Sequence, residues 1–218
     1  MNALDPAPIF EITLRTLAVC APALLIALVI GLPIGIELGR RRFVGRGFAV
    51  SIVNAGMGTP PVVVGLAAAL LLWRSGPLGG LGLMYTQIAM VIVQVAIALP
   101  FIVAITLASV GALDENWELQ IRTLGIPTRW RLWLLLREIR LGLAAAVIAA
   151  LGGILSEVGA VLMVGGNLEG ETRVFTTSIL MHTQMGEYET ASALAILLLG
   201  LTLLLSALLT VVQQGGRS

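Results

Sequence analysis

The stretch Leu17–Leu38, LAVCAPALLIALVIGLPIGIEL, decides the fold class of this chain. Glu37 is its only charged residue, and an α-helix needs roughly 20 consecutive apolar residues to cross a bilayer. Acidic Asp5 and Glu11 precede the run, where a cleaved signal peptide would carry basic residues. We therefore predict that this run is retained as a membrane-spanning helix.

The rest of the chain has the same apolar character. Hydrophobic residues make up 58% of the sequence and charged residues 11%, whereas about a quarter of a soluble domain is charged. Further apolar runs, separated by polar or glycine-rich breaks, cover residues 48–73, 84–110, 141–164 and 191–212. The predicted fold class is all-α: a polytopic membrane protein with about five transmembrane helices, in a single domain over residues 1–218.

The distribution of arginine predicts the orientation in the membrane. All 13 basic residues are arginine, and cytoplasmic loops of membrane proteins are enriched in basic residues. Five crossings leave only Arg15, Arg74 and Arg173 on one side and place ten on the other. The ten are Arg40, Arg41, Arg42, Arg46, Arg122, Arg129, Arg131, Arg137, Arg140 and Arg217. We therefore predict an outer N-terminus and an inner C-terminus.

Several classes of function are disfavoured by what the chain lacks. Without lysine it has no phosphate-binding loop ending in Gly-Lys-Ser/Thr, and a net charge of +1 leaves no basic stripe for nucleic acid. A single histidine, His182, without a Cys or carboxylate cluster predicts no metal or cofactor and disfavours a membrane enzyme. An ion-coupled transporter or channel would need a relay of several acids or histidines, whereas only Glu157 lies deep in a predicted span.

The only long polar stretch between apolar runs covers residues 114–140. It predicts two short helices around Gly125, because glycine commonly ends a helix and Pro127 suits the first turn of the next. The second helix alternates arginines with Trp130 and Trp133, a pattern typical of a helix lying along lipid headgroups. The stretch is therefore either a plain interfacial connection or a docking hairpin for a cytosolic partner. The second interpretation is favoured, since a mere connection needs far fewer residues.

Two segments in this stretch, LQIRTLG at 119–125 and LREIRLGL at 136–143, resemble the cytoplasmic loop of ABC importer permeases. In that family the loop inserts a coupling helix into a groove on the ATP-binding subunit. The resemblance implies that coupling to the ATPase involves Glu118, Leu124, Gly125 and Ile126. The family's usual Glu-Ala-Ala opening is absent, since Leu119-Gln120-Ile121 stands there.

Two further segments are similar to the tungstate branch of those permeases: NAGMGTPPVVVGL at 54–66 and SEVGAVLMVGGN at 156–167. The resemblance implies a type I, MetI-like permease in the bacterial inner membrane. It also implies a homodimer that works with two ATPase subunits and an extracytoplasmic binding protein, with no catalytic residue of its own. Tungstate is the cargo implied, with molybdate, sulfate or phosphate as alternatives.

The residues themselves suggest where an anion could pass. Gly56, Gly58 and Pro60-Pro61 predict a break in the second span, which either exposes backbone amides to an oxyanion or is a plain packing kink. Glu157 would repel an anion and is expected to pair with Arg173 or a helix amide, or to stay protonated. Residues 166–190 are predicted to form an outer gating segment. The candidate pathway residues are Asn54, Thr59, Gln94, Glu157, Asn167, Thr172, Arg173, Thr176 and Thr177.

Overall fold

A computed structural model describes residues 6–114 and 116–214. Arg217 of the predicted inner set lies outside that part, as do the side chains of Glu118 and Arg122. The described residues are organised as α-helices joined by short turns, which confirms the all-α class. The helices are α1 Pro6–Arg40, α2 Arg46–Gly58, α3 Pro61–Leu72, α4 Gln87–Gly111, α5 Trp117–Thr123, α6 Thr128–Glu138, α7 Arg140–Leu155, α8 Gly159–Gly165, α9 Phe175–Gln184 and α10 Tyr188–Gln214, with a 3₁₀ turn at Gly79–Leu81.

Three of these helices are long and apolar enough to cross a membrane unaided: α1, α4 and α10. Two further pairs qualify as bent spans, α2 with α3 at 101° and α6 with α7 at 68°. The described chain therefore supports up to five crossings, as the sequence predicts. The first span extends beyond its apolar run at both ends, and Pro22 and Pro33 lie inside α1 without ending it. Neighbouring helices allow prolines to be tolerated within membrane helices.

α4 lies at the centre of the bundle, where it packs against α1, α2, α3, α7 and α8. Its closest partner is α1, which presents Gly31, Gly35 and Gly39, one per helical turn, to Ile102, Thr106 and Val110. A methyl group on Gly35 would lie 2.7 Å from Thr106 Cβ and 2.8 Å from the carbonyl oxygen of Val103. Small residues let two membrane helices approach this closely and maximise van der Waals contact.

The order of these contacts also gives the relative direction of the two helices. Contacts advance along α1 and α4 together, so the helices run parallel. The C-terminal ends of both helices therefore lie at the same end of the bundle. There Arg40, Arg42 and Arg46 line a cavity of about 420 Å³ together with Asp114 and Trp117. We call this the arginine-rich end.

The fourth apolar run differs from the single helix expected over residues 141–164. α7 ends at Leu155, and α8 begins at Gly159. At the break the Glu157 carboxylate accepts a hydrogen bond from the amide of Ala160, in the first turn of α8. The carboxylate thereby pairs with an amide at the start of α8, where the amides have no partner within their own helix.

Candidate functional site

The second span bends by 101° between α2 and α3, at the position where the sequence predicts a break. Thr59 and Pro60 have extended backbones, and Pro61 opens α3, where its missing N–H has no helical partner to lose. The Thr59 hydroxyl donates to the carbonyl of Ala55, 2.8 Å away. Gly56 packs against Pro100 of α4, so that a methyl group there would lie 2.8 Å from the proline ring. We call residues 56–61 the elbow.

Glu157 lies in the second break and is 8% exposed. Its carboxylate oxygen Oε1 accepts a 2.7 Å hydrogen bond from the backbone amide of Ala160, in the first turn of α8. A carboxylate at the N-terminus of a helix is favoured by the free amides and by the helix dipole. Of the partners expected from the sequence, the structure therefore provides the helix amide, while Arg173 pairs with Glu169 at 3.4 Å.

The elbow and the second break are neighbours in space. A methyl group on Gly159 would lie 2.9 Å from a methyl carbon of Val62, the second residue of α3. One turn further along, a methyl group on Gly65 would collide with the backbone of Ala160. Both contact pairs lie just beyond a break, so the interrupted parts of the two spans meet face to face.

Gln94 of α4 reaches the same region. Its side chain is 3% exposed, its Nε2 donates to the carbonyl of Ile154 at 3.4 Å, and its Oε1 has no partner among the described residues. Pro100, one of the residues that sequence reasoning missed, supports the elbow from the same helix. A proline inside the third apolar run was the available signal, because a proline in a membrane helix often marks a contact or a kink.

The three pathway threonines within residues 166–190 hydrogen-bond to the backbone. The hydroxyl of Thr172 donates to the carbonyl of Gly165, that of Thr176 to Glu157, and that of Thr177 to Val174. All three side chains are buried. Thr172 and Thr176 hold residues 166–190 against α8 and the second break, and all three hydroxyl donors are already used within the chain.

The buried start of α9 has a further partner that the sequence analysis did not identify. The amide of Phe175 donates to the Thr16 hydroxyl of α1 at 3.2 Å. Phe175 also packs in a small apolar cluster with Ile12 and Leu194. The sequence gave no signal for this contact, because Thr16 and Phe175 are 159 residues apart along the chain.

Asn167 and Arg173 lie apart from the two breaks. Asn167 has a left-handed backbone (φ 56°), and its Nδ2 donates to the sulfur of Met181. Arg173 faces a cavity of about 210 Å³ beside the start of α1, which is also lined by Glu11, Arg15 and His182. The structure therefore brings Thr59, Gln94, Glu157 and Thr176 to one region and leaves Asn167 and Arg173 outside it.

Asn54 is also separate, since it lies on the exposed side of α2, a helix in which no residue is buried. The described chain offers this amide no hydrogen-bond partner. A polar side chain in a membrane span normally faces protein or a water-filled cavity. The exposed face of α2 is thus unusual for a surface that contacts lipid.

The hairpin at the arginine-rich end consists of α5 and α6 joined through Gly125, whose φ is +66°. Ile121 of α5 is buried, and Leu135 and Ile139 are buried beneath the hairpin. Leu124 at the tip is 74% exposed, whereas the carbonyl of Ile126 accepts a hydrogen bond from Arg131. The side chain of Glu118 lies outside the described part of the chain. The tip is thus a fixed turn with an exposed apolar residue.

The sequence profile described as "Binding-protein-dependent transport system inner membrane component" matches residues 31–217. The match covers both breaks, the central helix and the hairpin. The chain belongs to this family. It is therefore a multi-pass inner membrane permease.

Similar proteins carry permease names as well. The permease is 38% identical to a "Probable anion ABC transporter permease protein" of Haloferax volcanii over 91% of its own length and 88% of the relative's. It is 34% identical to the "Tungstate uptake system permease protein TupB" of Peptoclostridium acidaminophilum, over 96% and 92%. It is 30% identical to the "Sulfate transport system permease protein CysT" of Escherichia coli, over 81% and 66%.

Proposed function

We propose that this chain is the single-domain permease of an ATP-driven importer that carries tungstate into the cytoplasm after delivery by an extracytoplasmic binding protein. Two copies of the permease and two cytosolic ATPase subunits complete the transporter. The observation that carries the proposal is the meeting of two interrupted spans, because interrupted backbone within a membrane is tolerated only where protein or a water-filled cavity satisfies it. The similarity to a tungstate uptake permease supports the choice of cargo.

The chemistry of this region suits a passing oxyanion. Thr59 lines the elbow, although its hydroxyl proton is used in the bond to Ala55. Asn54, about one helical turn before the elbow, offers a neutral side-chain amide on the exposed face of α2. The carboxylate of Glu157 is held by the amide of Ala160, so its role is to stabilise the break rather than to bind cargo. Neutral donors attract an anion without a fixed positive charge, and conduction requires binding weak enough to permit release.

The exposed face of α2 supports the homodimer. Asn54 and Ser51 lie on this face, together with Gly58. Polar and small residues at membrane helix surfaces favour close contact with another helix. We infer that the second copy and the aqueous path cover this face, so that the two elbows enclose the pathway.

The hairpin at residues 114–140 is the proposed coupling element, with Glu118, Leu124, Gly125 and Ile126 as its contact residues. Its exposed leucine and fixed turn provide an apolar tip for a groove on the ATPase. In the proposed orientation this end faces the cytoplasm, with the N-terminus outside and the C-terminus inside, and the excess of arginines at this end supports it. Residues 166–190, folded over the second break by their threonines, form the proposed outer gate.

Coupling is tested with Leu124→Asp against the matched control Thr123→Asp. Both positions are exposed, and each variant adds one negative charge at neighbouring residues of the hairpin. Leu124→Asp is expected to reduce ATP-driven uptake at least tenfold, with membrane insertion and dimer formation unchanged, whereas Thr123→Asp keeps most of it. Equal uptake by the two variants would contradict the assigned contact.

A second coupling variant targets the turn itself. Gly125→Val should also abolish uptake, since a β-branched residue is strongly disfavoured at positive φ. Gly125→Asn is its control, because asparagine tolerates that conformation best among the other residues. Full uptake by the valine variant would show that the turn is not required.

The cargo is tested with the reconstituted complex, including its binding protein, and radiolabelled tungstate. An excess of unlabelled tungstate should abolish uptake of the label, while sulfate at the same concentration as that unlabelled tungstate leaves uptake almost unchanged. The similarity to a sulfate permease makes sulfate the most informative competitor. Equal inhibition by sulfate or molybdate would reject the tungstate assignment and leave the broader oxyanion class.

A further inference from the structure

A long apolar groove runs between α1, α7 and α10 on the outside of the bundle. It consists of two adjoining cavities of about 330 and 380 Å³ that share Leu209. The first is lined by leucines with Cys20 and Ala21, and the second includes Leu28, Leu32 and Val147. Together they form a continuous apolar channel along the helix axes.

The groove changes character at the arginine-rich end. Arg140 and Gln213 line the end of the second cavity. Gln213 donates to the carbonyl of Leu141 at 3.3 Å, which holds the end of α10 to the start of α7. Arg140 is exposed and forms no ion pair with the described residues. The groove thus has an apolar body and one positively charged end.

The neighbouring helix places this charge at the level of the lipid headgroups. Exposed Trp130 and Trp133 lie on α6, with the guanidinium of Arg137 5.3 Å from the ring centre of Trp133. Tryptophan and arginine side chains are enriched where the hydrocarbon meets the headgroups. α7 starts directly after α6, so Arg140 is at the same depth.

We propose that this groove is a binding site for an anionic phospholipid of the leaflet at the arginine-rich end. An acyl chain lies along the leucines of α1, α7 and α10, and the phosphate contacts the guanidinium of Arg140. Basic pockets between membrane helices recognise anionic headgroups in this way. The N-terminal amides of α7 add a favourable dipole.

The loose packing of α10 makes an acyl chain the better occupant than a second copy. Only 6% of the most apolar window of α10 is buried within the described chain. A flexible chain can fill a narrow groove between leucines, whereas a helix of another copy would need a broader surface with small residues. The bound lipid therefore completes the contact between α10 and the rest of the bundle.

The test uses the full permease in nanodiscs, with phosphatidylglycerol and phosphatidylcholine of the same chain length. After gentle release from the nanodisc, native mass spectrometry measures the lipid that each protein retains. The permease is expected to retain phosphatidylglycerol about tenfold more than phosphatidylcholine. Equal retention of the two lipids would overturn the proposal.

Two variants test the site itself. Arg140→Gln should lower phosphatidylglycerol retention to the level of phosphatidylcholine, while Arg129→Gln, which removes an exposed arginine of α6, keeps the preference. Ala144→Phe fills the second cavity without changing charge and should abolish retention of both lipids. It keeps the proposal testable if Arg140→Gln does not fold, and full retention by Ala144→Phe would refute it.

One further measurement distinguishes a lipid from a second copy. Leu208→Cys in a Cys20→Ser background places one thiol in the groove. We expect no disulfide between copies on oxidation. An efficient disulfide would show that a second copy covers the groove and would overturn the lipid site.

Discussion

α4 and α10 have almost the same length and apolar character but occupy opposite environments. Their most apolar windows have mean hydropathies of 2.8 and 2.6, yet 50% of the α4 window is buried and only 6% of the α10 window. Hydropathy therefore identifies a crossing but does not tell whether its neighbours are helices or lipid. The position in the bundle is set by the shape of the facing surfaces.

The difference in shape is visible at the glycines. Gly35 of α1 sits against Thr106 and the backbone of α4, whereas the space around Gly200 of α10 is open within the described chain. A glycine on a helix facing lipid has no partner to approach, but a glycine facing another helix brings the two backbones together.

The largest difference is expected for a bulky residue at these glycines. Gly35→Leu must push α1 away from α4, because the added carbon would lie 2.7–2.8 Å from atoms of Thr106 and Val103. We expect a loss of about 3 kcal/mol or more in the free energy of unfolding. Unfolding by SDS in mixed micelles measures it. Gly200→Leu is the matched control and should change stability by less than about 0.5 kcal/mol.

An intermediate effect is expected for truncated aliphatic side chains. Ile102 of α4 is 0% exposed and Leu203 of α10 is 61% exposed. Ile102→Ala leaves a cavity that the packed neighbours only partly close, with an expected loss of about 2–4 kcal/mol. Leu203 contacts lipid in both the folded and the unfolded state. Leu203→Ala should therefore lower the free energy of unfolding by less than about 0.5 kcal/mol. Similar losses in the same SDS titration would mean that α10 is packed against protein.

The smallest effect concerns two hydroxyl groups. Thr106 of α4 is fully buried and its oxygen has no partner among the described residues, whereas the Thr202 hydroxyl of α10 donates to the carbonyl of Leu198. Thr106→Val removes an unpaired polar group and should raise stability by up to about 1 kcal/mol. Thr202→Val should leave stability unchanged or slightly lower. Destabilisation by Thr106→Val would indicate a bound water at this oxygen.

The crossings, the elbow and the turn at Gly125 were all predictable from the sequence, for identifiable reasons. Apolar length marks spans directly, and Pro60-Pro61 and Gly125 act on their own backbone. The second break was missed, because Glu157 caps the start of α8 through a side-chain hydrogen bond that a hydropathy pattern does not register. A turn or break was thus predictable where the residue type itself restricts the backbone conformation.

The candidate site was predicted less completely. The residue types were informative for Thr59, Gln94 and Glu157, which the structure brings to one region. Thr172 and Thr177 were expected as donors for an anion, but their hydroxyls bind carbonyl oxygens of the chain itself. The hydrogen-bond partner of a hydroxyl depends on which distant segments pack against it, and a single sequence does not show those contacts.

The parallel contact between α1 and α4 has a consequence for biosynthesis. The partner surface of Gly31, Gly35 and Gly39 is not complete until Val110 has been synthesised and the third span has entered the bilayer. During translation these three glycines of α1 therefore face lipid until about half of the chain has been synthesised. Until then its spaced glycines are open to a wrong partner, so assembly of this protein depends on the order in which its helices reach the membrane.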